Sequence, residues 1–266
     1  MFEHKVVLIT GGSSGLGFGL AVELLKRGAR VILLARNLQK LENVKEDLKK
    51  SFPEDNIDII SADVANYESL RKILIEKLDK QPVLDMVVRN AGVIKEGYFG
   101  NLSIKDFETV VGINYFGCLH MAHITLPYLK KSRGRLVNIS SVAGLTGVFG
   151  YAPYCSSKHA LVGLTESLRY ELKPQGINVH LVCPPEFESP LVEELDTYRT
   201  PENRAHTLMI PKMGVETVVK DTLKGIEKNR FKIIPGWKTR VMVSCIQHLP
   251  GISRYFADMQ IRRTIG

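Results

Sequence analysis

The sequence has little of what would tie it to a metal, a disulfide scaffold or a membrane span. Four of its 266 residues are cysteine, and Cys118, Cys155, Cys183 and Cys245 lack the spacing of a metal knuckle or redox pair. That usage is expected of buried thiols in a reducing compartment, with no disulfide. Of seven histidines only His120 and His123 share a helical face. No third ligand accompanies them, so no metal site is expected and the pair should face a helix interface or solvent. No apolar run approaches the roughly 18 residues of a membrane span, and the first residues lead almost directly into a strand, so neither a cleaved signal nor a transmembrane anchor is expected. Internal repeats and low-complexity segments are absent, and no nucleic-acid recognition motif accompanies the basic charge, so no nucleic-acid partner is expected.

What is present suits one sizeable α/β domain over 1–266, with 44% hydrophobic residues. Short apolar strands alternate with helix-period segments, the pattern of a parallel sheet covered on both faces. Strands are expected over 5–10, 30–35, 57–62, 83–89 and 135–139, with another ending at Val182. Helices are expected from near Gly15, over 38–50 and 67–78, and as one long helix through Asn114 towards Tyr128. The architecture is a doubly wound parallel sheet of about seven strands, whose ligands belong at the carboxyl ends of the strands.

Two motifs bring chemistry to that edge. Thr10-Gly11-Gly12-Ser13-Ser14-Gly15-Leu16-Gly17 follows the first strand and opens a helix, so its backbone can approach a pyrophosphate that the helix N-terminus attracts. Tyr154 and Lys158 stand one helical turn apart, thirteen residues after Ser141. A cation on the same helix face is expected to draw the phenol's pKa towards neutrality and make it an acid for carbonyl chemistry.

Thr10-Gly11-x-x-x-Gly15-x-Gly17, Asp63-Val64, Asn90-Ala91-Gly92, Asn114, Ser141 and Tyr154-x-x-x-Lys158 together resemble the short-chain dehydrogenase/reductase family, over residues 5–183. The resemblance implies a Rossmann-type fold, a nicotinamide cofactor and hydride transfer to or from a carbonyl carbon. It implies that Tyr154 gives the proton, Lys158 lowers its pKa and contacts the nicotinamide ribose, Ser141 bonds the substrate oxygen, and Asn114 holds a water leading to solvent. Gly11, Ser13, Ser14, Gly15, Leu16 and Gly17 would cradle the cofactor, Asp63 and Val64 with Asn90, Ala91 and Gly92 would line its adenosine side, and Pro184 would close over it. An NAD site would place a carboxylate at the end of strand two; here Ala35 is followed by Arg36, with Lys40 four further on, which favours NADP(H). A homodimer or homotetramer through the helices holding Asn114 and Tyr154 is also implied.

Past Val182 the usual Pro-Gly is replaced by Cys183-Pro184-Pro185-Glu186-Phe187-Glu188, which resembles the 3-ketodihydrosphingosine reductase branch of that family. A 3-keto sphingoid base carries an amine beside its ketone, and Glu186 or Glu188 is expected to pair with it. Residues 184–214 are expected as a lid, with Leu208, Met209, Ile210 and Met213 meeting an acyl chain or packing the lid down. From Lys228 onward there are eight Lys or Arg against one acid, mixed with apolar residues. That segment, about 235–266, suits either a cytosolic membrane face or closure of the substrate pocket. The expected function is thus NADP(H)-dependent reduction of a lipophilic ketone. The alternatives are a hydroxysteroid, retinoid or 3-oxoacyl thioester reductase, and a catalytically silent nucleotide-sensing scaffold.

Overall fold

The computed structural model describes residues 1–80 and 83–265; Gly266, the end of the expected tail, lies outside them. In chain order the elements are β1 (Val6–Thr10), α1 (Gly15–Lys26), β2 (Arg30–Ala35), α2 (Leu38–Lys49), β3 (Ile57–Ser61), α3 (Tyr67–Leu78) and β4 (Met86–Arg89). There follow α4 (Ile104–Val111), a π-turn (Gly112–Phe116), α5 (Gly117–Ser132), β5 (Arg135–Ile139), α6 (Ala152–Leu172) and β6 (Asn178–Val182). The chain continues with α7 (Pro190–Asp196), α8 (Pro201–Thr207), α9 (Val215–Glu227), β7 (Lys232–Ile233), α10 (Trp237–His248) and α11 (Pro250–Ile265). The seven strands form a parallel sheet in the order β3-β2-β1-β4-β5-β6-β7. The order reverses between β1 and β4, which is where such a sheet opens a crevice.

Alternate residues of each strand feed two cores. Val7, Ile9 and Leu33 pack under α1 and α9, whereas Leu8, Ile32 and Leu34 pack under α3 and α5. Local chemistry sets the helix starts: Asn37 and Asn66 accept backbone N–H bonds from Lys40 and Ser69, and Ser103 with Asp106 forms a capping box on α4.

Two expected elements differ. The fourth strand begins at Met86 rather than at 83, because the Asp85 carboxylate takes the Val6 N–H at 2.9 Å and the Lys5 ammonium at 3.0 Å at the ladder's edge. The long helix through Asn114 is interrupted by the π-turn, which sends the Asn114 side chain into the domain to bond Val93 and Ser157.

His180 on β6 is fully buried, its Nδ1–H donating to the Arg230 carbonyl at 2.7 Å, while Nε2 has no partner. Burial pushes its pKa down to about 4. Between about pH 6.5 and 4 the unfolded chain binds a proton there that the native chain does not, so stability falls as pH falls. The slope is about 1.4 kcal/mol per pH unit and the total roughly 3 kcal/mol. Denaturant midpoints measured across this window should flatten in a His180→Gln variant; an unchanged slope would refute the assignment.

Candidate active site

The crevice is built from strand ends tied to each other. Thr10 Oγ1 accepts the N–H groups of Asn90 and Ala91 at 2.9 and 3.0 Å, and Asn90 Nδ2 donates to the Thr10 carbonyl at 3.1 Å. The glycine loop is thereby held against the end of β4. Ser14 caps α1 without a side-chain bond. A Cβ on Gly17 would lie 2.3 Å from the Gly11 carbonyl oxygen, so only glycine lets the helix start so close beneath the loop. Bare backbone around a helix N-terminus fits a pyrophosphate.

Across the crevice, α6 is fastened to β5. Lys158 is buried, its Nζ donating to the Ile139 carbonyl at 3.0 Å, while Ser140 Oγ donates to the Lys158 carbonyl at 3.1 Å. Ser141 caps the turn after β5, its Oγ accepting the Ala143 N–H at 3.1 Å, and it lines the same cavity as Tyr154. Asn114 accepts the Val93 N–H at 2.8 Å and donates to Val93 and Ser157 at 3.0 Å. Gly92 separates it from Lys158: a Cβ there would stand 3.2 Å from Asn114 Oδ1 and 3.6 Å from Lys158 Nζ.

The electrostatics correct one expectation. Burial pushes the Tyr154 phenol up to about 12, with the nearby Ser141 side chain pulling the other way, and burial lowers the Lys158 ammonium. Lys158 Nζ lies 5.6 Å from the tyrosine ring centre and is engaged by a carbonyl. Taking each group out of water sets the direction of its shift.

These residues open into a cavity of about 860 Å³. Gly11, Ser14, Gly15 and Leu16, then Asn90, Ala91 and Gly92, then Ser141, Tyr154, Lys158 and Pro184 all line it. Ser13, Gly17, Arg36, Lys40, Asp63, Val64 and Asn114 do not. Arg36, Lys40 and Asp63 are exposed along the crevice's β2–β3 side, where the Asp63 carboxylate accepts the Ala65 N–H at 2.9 Å. Val64 is buried against Gly117.

The opposite wall comes from later in the chain. Segment 184–214 folds as α7 and α8, and Met242, Cys245, Ile246, Leu249 and Phe256 of the C-terminal segment face the cavity. Those side chains make the C-terminal segment part of the cavity wall. Of the two acids after β6, Glu188 is exposed and outside the lining. Glu186 lines the cavity but already holds Arg199, at 2.6 and 3.1 Å. The Arg199 side chain is only 3% exposed and also bonds Asp196 at 3.1 Å, Asn203 at 2.6 Å and Thr207. Sequence reading missed Arg199, along with Tyr151 and His206 in the cavity wall. The only signal for Tyr151 was its place just ahead of Tyr154.

Set beside known proteins, residues 5–200 match the model of the short chain dehydrogenase family. The chain belongs to the short-chain dehydrogenase family. It is an oxidoreductase by that membership, and its relatives include reductases of keto groups. The chain is 36% identical over 227 residues to the 3-ketodihydrosphingosine reductase of Mus musculus, covering 82% of this chain and 68% of that protein. In three dimensions it resembles a short chain dehydrogenase/reductase from Burkholderia phymatum in complex with NAD, with a TM-score of 0.82 and 24% identity, covering 94% and 95% of the two chains. A short chain dehydrogenase from Burkholderia cenocepacia in complex with NADP superposes with a TM-score of 0.81 at 23% identity, covering 97% and 98%. Among the described residues no helix is long and apolar enough to cross a membrane.

Proposed function

We propose that this oxidoreductase is an NADP(H)-dependent ketone reductase for a long-chain keto lipid, specifically a 3-keto sphingoid base. One observation carries the reading: a single cavity has Tyr154, Ser141 and Lys158 at one end and apolar side chains of α10 and α11 at the other. Its volume of about 860 Å³ is at the large end of small-molecule sites. The name of the murine relative supports the substrate class.

The glycine loop from Gly11 to Gly17 and Lys158 would hold NADPH, which would supply the hydride. Tyr154 gives the proton to the carbonyl oxygen; with its pKa at about 12 it is protonated at neutral pH, the state that reduction requires. Ser141 steers that oxygen towards the phenol. Lys158 serves the ribose and the proton path, with Asn114 anchoring a water beyond it. The absence of a carboxylate at Ala35, with Arg36 and Lys40 beside it, supports a 2′-phosphate there. Asp63 and Val64 take the adenine side.

Among the described residues of the cavity wall Glu186 is the one acid. Because Arg199 neutralises it, it would receive the substrate's ammonium through hydrogen bonds more than through net charge. α7 and α8 act as the lid. Leu249, Ile252 and Phe256 are exposed at the rim beside Arg254, which supports entry of the substrate from a membrane surface. Phe116 and Tyr170 are exposed near and on α6, which supports self-association into a dimer or tetramer.

The test is initial rates with NADPH and NADH on 3-ketosphinganine, its deaminated analogue, a steroid ketone and a 3-oxoacyl thioester. The amino ketone with NADPH should give the highest kcat/KM. Preference for the thioester or steroid would replace the substrate assignment, and no turnover on any of them would favour the silent scaffold. In Glu186→Gln the ratio of kcat/KM for the amino ketone to that for its deaminated analogue should fall about tenfold. An unchanged ratio would remove Glu186 from substrate recognition.

A further inference from the structure

A concentration of unpaired positive charge lies away from the cavity, at the sheet's β7 edge. Between α9, β7 and α10 is a hollow of about 270 Å³ lined by Lys224, Lys228, Arg230, Lys232 and Arg240, with Asp221 as its one acid. Among the described residues none of these five cations is in an ion pair. The neighbouring acid Glu227 is committed to Arg27 at 2.8 Å.

The fold gathers these charges at a cost in mutual repulsion. A Cβ on Gly225 would lie 2.7 Å from the Ile233 side chain, so glycine there lets β7 lie against α9 and brings Lys224 and Lys232 to one hollow. Asp221 Oδ2 accepts the Gly236 N–H at 2.8 Å, which spends the acid on the start of α10. The fifth cation, Arg240, stands in the first turn of that 12-residue helix. Like charges focused in a concave site raise the local concentration of anions, and Arg and Lys together suit phosphate oxygens.

We propose that this hollow binds a phosphate group, carried by a phospholipid headgroup or a soluble phosphomonoester. It is separate from the cofactor site and does not depend on which ketone the cavity takes. It is nevertheless joined to the cavity, because α10 supplies Arg240 to the hollow and Met242, Cys245 and Ile246 to the cavity wall.

The experiment titrates inorganic phosphate into protein already saturated with NADP⁺, so that the glycine loop is filled. The comparison is a Lys228→Gln/Arg230→Gln variant checked for an unchanged thermal midpoint and NADPH-dependent turnover. Wild type should bind phosphate saturably and the variant about tenfold more weakly or worse. Co-sedimentation with phosphatidylcholine vesicles, with and without phosphatidylglycerol, separates the sources. A parallel loss of binding to the anionic vesicles in the variant assigns the headgroup; vesicle binding unchanged while phosphate binding falls assigns the soluble ester. No saturable phosphate binding by wild type, or equal affinity in the variant, overturns the proposal.

Discussion

Tyr154→Phe is expected to lower kcat/KM for ketone reduction by about three orders of magnitude while leaving the fold and cofactor binding in place. The change removes one oxygen. The ring stays packed against Tyr151, whose centre is 5.5 Å away, and Ser141 keeps its bond from the Ala143 N–H. Burial holds the phenol protonated, so the wild-type rate should not depend on Tyr154 ionisation at neutral pH. Steady-state rates and NADPH binding by fluorescence check this together. A variant within about tenfold of wild type would mean that another group gives the proton.

The second large effect is structural in origin. Arg199→Met should loosen the wall formed by α7 and α8, because Arg199 joins Glu186 before α7, Asp196 at its end, and Asn203 and Thr207 on α8. The guanidinium is buried but its carboxylate partners are part-exposed, so its removal should cost less than the roughly 3–5 kcal/mol of a fully buried pair. α8 has further ties: Asn203 Nδ2 donates to the Phe149 carbonyl, and His206 Nδ1 accepts the Phe149 N–H at 3.1 Å. The sheet is untouched, so the loss should appear as local opening. Amide exchange should rise across 186–207 and KM should increase far more than kcat falls. Unchanged exchange there would show that the other contacts hold the segment alone.

The strands and the motifs at their ends were legible because both follow from periodicity: a run of apolar residues stops where Thr10, Asn90 or Ser141 begins a polar turn. The π-turn was not, since Gly112–Phe116 is a single short stretch inside a long helical run and no residue type marks its wider turn. Nor was the sense of the Tyr154 shift, because the spacing of Tyr154 and Lys158 gives proximity but not burial, and burial decides the sign. Arg199 escaped because its partners are scattered over 186–207 with no period, and nothing local marks it as buried among surface-like charges. Ser141 had two readings in the sequence, cap and substrate ligand; its bond from the Ala143 N–H is the cap, and its place in the cavity wall leaves the second open to test.

The cavity's two walls come from opposite ends of the chain, the proton-handling side from residues before 160 and the apolar side mainly from those after 184. Inheritance can therefore edit them independently. A lineage could exchange one substrate for another by altering the later third of the gene while its reactive core stayed fixed. For an engineer the same seam is a graft line: the closing segment of a relative could be transplanted onto this sheet to redirect selectivity with the hydride chemistry retained.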